Sequence, residues 1–180
     1  THNMLDVGEN GAKSMNTLDF ILKKFAISFD DKTPLPITIP NVGRQNLASW
    51  LCELDFKTGV EVGVAAGEYS EILASQNPQM KLYGIDPYVP HRGYRDYTRE
   101  STFRKLQEDA HRRLDKFPNY KFVKKFSMDA TRDFPDSSLD FVYIDANHNF
   151  QSVTNDIVEW SKKVKVGGII SGHDYLRHRQ

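Results

Sequence analysis

Short apolar runs alternate along the chain with longer segments in which apolar residues recur every three or four positions. The apolar runs predict β-strands over residues 59–64, 81–86, 120–126, 139–146 and 169–172. The segments between them predict helices, and strands that alternate with helices form right-handed βαβ units around a parallel sheet. We therefore expect an α/β fold with a Rossmann-like, doubly wound and mostly parallel sheet.

Two helical segments precede the first predicted strand. One begins after Ser14 and the other after Asn41, and prolines between them impose an extended connection: Pro34, Pro36 and Pro40. We expect residues 1–57 to form a helical annex that covers one edge or face of the sheet, with a lid or a dimer surface as the alternative. Residues 58–180 then form the sheet domain, which carries the binding site.

The junction between the first strand and the next helix has the features of a ligand-binding loop. Gly63 and Gly67 lack a Cβ atom, so the backbone there can take a positive φ and a ligand can lie directly against it. The helix after Gly67 also begins with unpaired N–H groups, which suit an anionic group. An ordinary strand-to-helix turn without a ligand is the alternative.

The spacing within this loop argues against a dinucleotide. The fingerprint G-x-G-x-x-G needs a glycine two residues after Gly63, where this chain has Ala65. Glu61 lies two residues before Gly63, and its carboxylate would repel a phosphate but suit a ligand with an ammonium group. A nicotinamide-dependent oxidoreductase is therefore the weaker alternative for this sheet.

Acidic residues and histidines follow the other strands. Asp86 closes the second strand about 20 residues beyond the loop, where one carboxylate can accept hydrogen bonds from both hydroxyls of a ribose. Asp145 ends the fourth strand, with His148 three residues later, and His173 and Asp174 end the fifth. Because the carboxyl ends of parallel strands meet at one edge of a sheet, we expect Asp145, His173 and Asp174 to converge.

Together these features resemble the class I S-adenosylmethionine-dependent methyltransferases, over about residues 59–175. The resemblance implies that S-adenosyl-L-methionine is the cofactor. It also implies that Glu61 serves the methionine amino group, that Gly63 and Gly67 pack beneath the cofactor, and that Asp86 binds the ribose. The Asp86 position is shared with dinucleotide enzymes, so it supports an adenosine-containing ligand without choosing between the two families.

The resemblance also implies an adenine site after the third strand. In this family an acidic residue there accepts a hydrogen bond from the adenine amino group, a role that falls to Asp129, beside Ala130. An aspartate after a strand is also a common turn residue, so the assignment stays open.

The ends of the fourth and fifth strands resemble the small-molecule O-methyltransferase branch, in which acidic residues can hold a divalent metal. This implies a small hydroxylated acceptor, with Asp145 and Asp174 as ligands of Mg²⁺. His148, His173 and Asp145 are the candidate catalytic residues, because an imidazole can take the hydroxyl proton at neutral pH. Asp174 is flanked by His173 and Tyr175, where metal-dependent relatives often have a carboxylate or an asparagine, so metal dependence stays open.

Composition narrows the classes of partner. The 180 residues include 24 basic and 24 acidic ones, the isoelectric point is about 7.0 and the mean hydropathy is −0.57. This balance points away from nucleic acid, and no apolar run approaches the roughly 20 residues of a membrane helix. The chain has no signal-peptide pattern and one cysteine, Cys52, in a helical segment, so we expect a cytoplasmic protein.

The C-terminal end departs from the family pattern. Class I methyltransferases continue with a helix and two further strands, whereas this sequence ends at Gln180, just after the fifth predicted strand. We therefore expect strands six and seven to be absent, either because the fold is abbreviated or because the C-terminal part is missing from this chain. A non-catalytic cofactor-binding or partner subunit is a further alternative to an enzyme.

Overall fold

A computed structural model describes residues 16–90 and 98–174 of the chain. Contacts divide the chain into two compact units, residues 1–39 and 40–180. The described part of the first unit contains one helix, α1 (Thr17–Lys24). Asn16 caps this helix, because its side chain accepts a hydrogen bond of 2.8 Å from the Leu18 N–H. The predicted cap, Ser14, lies outside the described residues.

The second unit is built on a parallel sheet of five strands. They are β1 (Thr58–Val62), β2 (Lys81–Ile85), β3 (Tyr120–Val123), β4 (Leu139–Ile144) and β5 (Val164–Gly172). The order across the sheet is β3-β2-β1-β4-β5, and every neighbouring pair is parallel. The predicted Rossmann-like α/β architecture is therefore confirmed, with β3 and β5 as the edge strands of the described sheet.

Helices precede and connect these strands. They are α2 (Arg44–Glu53), α3 (Glu68–Gln76), α4 (Glu100–Leu114), α5 (Ser127–Ala130) and α6 (Phe150–Lys163), with a 3₁₀ turn at Thr131–Asp133. The pattern predicted α3, α4 and α6, but it extended β3 to residue 126 and missed α5 and the 3₁₀ turn. Within residues 16–90 and 98–174, no helix is long and apolar enough to cross a membrane.

The sheet is buried on both faces, as expected for a doubly wound fold. Alternate residues of a strand point to opposite faces, and β4 shows this clearly. Phe141 and Tyr143 lie in a core cluster with Leu51 of α2 and Leu73 of α3, on one face. Residues from the other face form a second cluster: Val60, Val62, Val142, Ile144 and Trp160. The continuous apolar run of β4 follows from burial on both sides.

Helix α2 packs with the sheet unit. Ala48 and Leu51 of α2 are fully buried, and Asn77 donates a hydrogen bond of 3.0 Å to the Ala48 carbonyl. The structure divides the chain after residue 39, whereas the sequence suggested a division after residue 57. The helix also begins later than predicted: Gly43 is its cap, and Asn46 accepts from the Gly43 N–H at 3.0 Å.

Strand β5 begins five residues earlier than the pattern predicted. It pairs with β4 through Leu139 and Val164, and the register then shifts before Phe141 pairs with Ile169. This irregularity lets residues 164–168 continue along β4, although Val166 is fully exposed. The strand ends at Gly172, so His173 and Asp174 lie at the same edge as the end of β4.

Candidate functional site

Two adjoining clefts lie at the carboxyl ends of the central strands. The first has a volume of about 240 Å³ and is lined by residues that follow β1, β2, β3 and β4. The second has a volume of about 520 Å³ and lies between the loop after β1 (residues 63–67, the β1 loop), the start of α2 and the residues after β4. Both clefts are lined by Gly63, Ala65, Asp145 and Ala146. They therefore form two parts of one groove across the β1 loop.

Backbone contact explains the glycines of this loop. Gly63 has a φ of +95°, and a Cβ atom there would lie 2.1 Å from the carbonyl oxygen of Asp145. Gly67 has a φ of +78° and caps α3 in the left-handed conformation, against Leu114 of α4. The glycines thus let the loop lie directly against the end of β4, which brings Asp145 beside it.

Asp86 anchors the same loop from the end of β2. One of its carboxylate oxygens accepts hydrogen bonds of 3.1 Å from the N–H groups of Val64 and Ala65, and the other accepts one of 2.9 Å from Tyr88. Asp86 also lines the first cleft. Each carboxylate oxygen can accept more than one hydrogen bond, so this position is compatible with the predicted ribose contact, which stays a prediction.

Glu61 lies beneath the loop and is almost inaccessible to solvent, with 2% of its surface exposed. The Ser70 hydroxyl donates to its carboxyl group, and the Tyr120 hydroxyl donates to Ser70 at 3.2 Å. Burial raises the pKa of Glu61 to about 8, although the hydrogen bond from Ser70 opposes the rise. Glu61 borders the second cleft, but its visible partner is a protein hydroxyl, so its predicted contact with the methionine amino group stays a prediction.

Part of the predicted convergence at the ends of β4 and β5 is present: Asp145 and Asp174 both lie near His148, which that prediction did not include. His148 Nε2 lies 3.5 Å from an Asp145 oxygen and 3.3 Å from an Asp174 oxygen. One ligand atom from each of these residues lies within 4.8 Å of the others, a spacing that one divalent ion could bridge. Two carboxylates and an imidazole fit Mn²⁺, Co²⁺ or Zn²⁺ well, whereas Mg²⁺ would favour the two carboxylates and water.

His173 and Arg44 border this group. His173 Nδ1 lies 2.8 Å from Asp174, and His173 is outside the linings of both clefts. Arg44, the first residue of α2, lies 3.9 Å from Asp145 and stacks over the Tyr69 ring at 5.2 Å. Arg44 therefore adds a positive charge to the second cleft, and the sequence offered no signal for it.

The residues predicted for adenine do not face the groove. Asp129 is exposed and lies 3.7 Å from Arg132, and Ala130 is buried in the core. Ser127 and Met128 line the first cleft instead. The adenine role of Asp129 and Ala130 stays a prediction, without support from this geometry.

Asp156 also lines the first cleft, and sequence reasoning gave it no role. It is 4% exposed and accepts a hydrogen bond from Ser127. A signal for it existed in the sequence. Asp156 lies on the apolar face of α6 that Val153 and Trp160 define, where a carboxylate needs a reason to be buried.

Comparisons with known proteins found one matching family model and one relative in sequence. A family model described as a methyltransferase domain matches residues 60–175. An uncharacterised protein of Acanthamoeba polyphaga mimivirus is 31% identical over 140 residues, which cover 75% of this chain and 58% of the viral protein.

Solved structures show the same fold. A candidate caffeoyl-CoA O-methyltransferase from Staphylococcus aureus aligns with a TM-score of 0.52 at 18% identity, covering 84% of this chain and 64% of that protein. An O-methyltransferase family protein from Burkholderia thailandensis aligns with a TM-score of 0.50 at 18% identity, covering 70% of this chain and 35% of that protein. The chain thus spans less than two thirds of each of the three proteins.

Proposed function

Because the chain belongs to the class I S-adenosylmethionine-dependent methyltransferases, we propose that its groove binds S-adenosylmethionine and that the protein methylates a hydroxyl group of a small molecule. The observation that carries the proposal is the juxtaposition of the β1 loop with the group of Asp145, His148 and Asp174. The loop supplies the cofactor surface, and the group supplies proton acceptors beside it.

The two clefts suit the two halves of the cofactor. Ile85, Phe103 and Phe126 give the first cleft apolar walls that suit a nucleoside base, and Asp86 borders the same cleft. Arg44, Glu68 and Asp145 give the second cleft a charged lining that suits an amino acid group, and Glu61 borders the same cleft. The shared lining at Gly63 and Ala65 is then where the sulfonium of the cofactor would lie.

Methyl transfer requires that the acceptor hydroxyl lose its proton. The carbon–sulfur bond of the sulfonium breaks as the new carbon–oxygen bond forms, and S-adenosylhomocysteine leaves with both electrons of the broken bond. His148 is the favoured base, because it lines the second cleft and Asp145 can orient its imidazole. His173 is less favoured, because it contacts Asp174 outside the cleft linings.

A divalent ion would be held by Asp145 and Asp174, with His148 as a third ligand. Such an ion lowers the pKa of a bound hydroxyl, and His148 would then not serve as the base. The metal-free and metal-bound schemes therefore assign different roles to His148, which makes them experimentally separable.

The test is calorimetric titration of the purified chain with S-adenosylmethionine, S-adenosylhomocysteine and NAD, each with and without Mg²⁺. We expect micromolar binding of the first two ligands and no heat from NAD. Absence of binding by both adenosyl ligands would overturn the proposal, and binding of NAD would favour an oxidoreductase.

Turnover is tested with S-adenosylmethionine that carries a labelled methyl group and a panel of catechols, phenols and sugars. We expect label in at least one hydroxylated acceptor. Cofactor binding without transfer to any member of the panel would favour a non-catalytic cofactor-binding subunit.

A further inference from the structure

Asp156 presents an acceptor to the first cleft. Trp160 Nε1 donates a hydrogen bond of 2.9 Å to the Ser127 hydroxyl oxygen, and the Ser127 hydroxyl donates to Asp156 Oδ1. An indole nitrogen can only donate, so the direction of the chain is fixed from Trp160 through Ser127 to Asp156. Among the residues that the structure describes, the second oxygen of Asp156 has no hydrogen-bond partner.

A carboxylate in this position favours a ligand that brings a donor. Asp156 is 4% exposed, and burial raises its pKa while the bond from Ser127 opposes that rise. The second oxygen keeps some solvent access, since it is not among the fully buried atoms without a partner in the described residues, so a ligand N–H in the first cleft could reach it and bond to it. Asp156 therefore selects against a ligand that presents an acceptor at the same point.

The rest of the first cleft suits a flat ring. Phe103, Phe126 and Ile85 contribute apolar walls, and Met128 adds a deformable side chain. A purine ring between such walls would expose only its edge to a polar residue. The edge of adenine carries an amino group that donates, whereas hypoxanthine carries an oxygen that accepts.

We propose that Asp156 recognises the 6-amino group of the cofactor's adenine, with Ser127 and Trp160 as positioning residues that aim its carboxylate. This inference rests on the proposed function, since it assigns the specificity of the same groove. It moves the adenine contact from Asp129, after β3, to helix α6.

The test compares three thioethers of homocysteine by calorimetry on the full chain. Their nucleosides are adenosine, inosine with a 6-oxo group, and purine riboside with hydrogen at position 6. We expect wild-type protein to bind the adenosine compound at least about tenfold more tightly than either analogue. Asp156→Asn should bring the affinities for the adenosine and inosine compounds to within about threefold of each other. An amide can accept a hydrogen bond from the first compound and donate one to the second.

Asp129→Asn is the matched control, because it makes the same chemical change at the residue that the sequence suggested. It should keep the full wild-type preference, and loss of that preference would overturn the inference in favour of Asp129. Ser127→Ala keeps both carboxylates and should reduce the preference by a smaller factor than Asp156→Asn. Should Asp156→Asn unfold, Ser127→Ala decides, and an unchanged preference in that variant would overturn the inference.

The remaining outcomes separate the two proposals. Equal affinity of wild-type protein for the adenosine and inosine compounds overturns the role of Asp156 and leaves cofactor binding intact. An undiminished preference in folded Asp156→Asn does the same. Failure of wild-type protein to bind the adenosine compound overturns the proposed function, and this inference with it.

Discussion

Three carboxyl groups around the β1 loop have different environments. Glu61 is buried with one hydroxyl partner, and its pKa is raised to about 8. Asp86 accepts hydrogen bonds from three backbone N–H groups, and Asp145 lies between Arg44 and His148. All three side chains carry a carboxyl group, but Glu61 lies beneath the loop, Asp86 fixes its conformation and Asp145 faces the groove.

Replacing Asp86 with alanine should weaken cofactor binding. The substitution removes the acceptor for Val64, Ala65 and Tyr88 and the expected ribose contact together. Hydrogen bonds to a charged group contribute about 1.5–3 kcal/mol, so we expect a loss of about tenfold to a hundredfold in affinity. Titration with S-adenosylhomocysteine measures it.

Asp136→Ala is the control, because Asp136 is exposed, pairs with Lys163 and is outside the linings of both clefts. It should leave affinity unchanged. Unaltered affinity in a folded Asp86→Ala variant would remove Asp86 from the binding site.

Glu61 should make the protein less stable as the pH rises. Its carboxyl group ionises near pH 4.5 in the unfolded chain but near pH 8 in the folded one, so unfolding releases a proton between these values. The free energy of unfolding should therefore fall by up to about 1.4 kcal/mol per pH unit in this window. Glu61→Gln, which keeps the shape of the protonated group, should remove this component.

Urea unfolding at pH 5 and pH 8 measures the difference between the variant and wild-type protein. Glu108→Gln serves as the control, because Glu108 is exposed and should keep the wild-type pH dependence. A Glu61→Gln variant whose stability falls with pH as steeply as that of wild-type protein would show that Glu61 is ionised in the folded state.

At the level of elements, the β1 loop depends on how closely β1 and β4 approach. Gly63→Ala should cost more stability than a positive φ alone explains, because the new Cβ atom would overlap the Asp145 carbonyl. Gly167 provides the comparison: its φ is +84°, but nothing lies within 4 Å of a Cβ atom there. We expect Gly167→Ala to cost about 1–2 kcal/mol and Gly63→Ala several kcal/mol.

Chemical denaturation of the two variants measures both costs. Gly43→Ala, at a φ of −136° with open space around it, should cost only the loss of a favoured helix cap, about 1 kcal/mol or less. Equal costs for Gly63→Ala and Gly167→Ala would mean that the end of β4 moves away freely. Gly63→Ala should also bind S-adenosylhomocysteine more weakly, because Asp145 would be displaced.

Most elements of the sheet unit follow from local pattern, and the exceptions have physical causes. The starts of β2, β3 and β4 were predicted at the correct residue, since apolar runs mark buried strands. Helix α5 has four residues, too few for any periodicity to show. The early start of β5 was missed because Lys165, Val166 and Gly167 are exposed and because the strand pairs with β4 through a shifted register, which no local signal encodes.

For the whole molecule, a divalent ion should stabilise the fold through linkage. Asp145 lies at the end of β4 and Asp174 after β5, so an ion that bridges them would bind only the folded protein. At a hundredfold excess over its Kd, the ion should add about 2.7 kcal/mol to the free energy of unfolding. Thermal unfolding of chelator-treated protein, titrated with Mn²⁺ and then Mg²⁺, measures the rise in Tm.

Asp174→Asn should abolish this rise, whereas Asp133→Asn should keep it, because Asp133 is exposed and pairs with Lys125. A Tm that does not respond to either metal in wild-type protein would leave His148 as the base of a metal-free reaction. A rise that persists in Asp174→Asn would place the ion elsewhere.

Topology decides which site residues can be predicted. Asp145 and Asp174 could be assigned to one edge because parallel strands end together, and the structure brings them to the same imidazole. The distinction between Asp129 and Asp156 depends on which side chain turns toward the cleft. The direction of each side chain depends on the orientation of helices α5 and α6, which tertiary packing around Trp160 sets.

The position of β1 in the centre of the sheet has a kinetic consequence. Its neighbour β4 is distant along the chain, and the Lys57 and Thr58 N–H groups are bonded to Asp140, 83 and 82 residues later. Contacts between such distant residues slow folding, because a long segment must be ordered before they form. On the ribosome, the glycine loop would emerge well before the strand that supports it, so this half of the sheet would complete late.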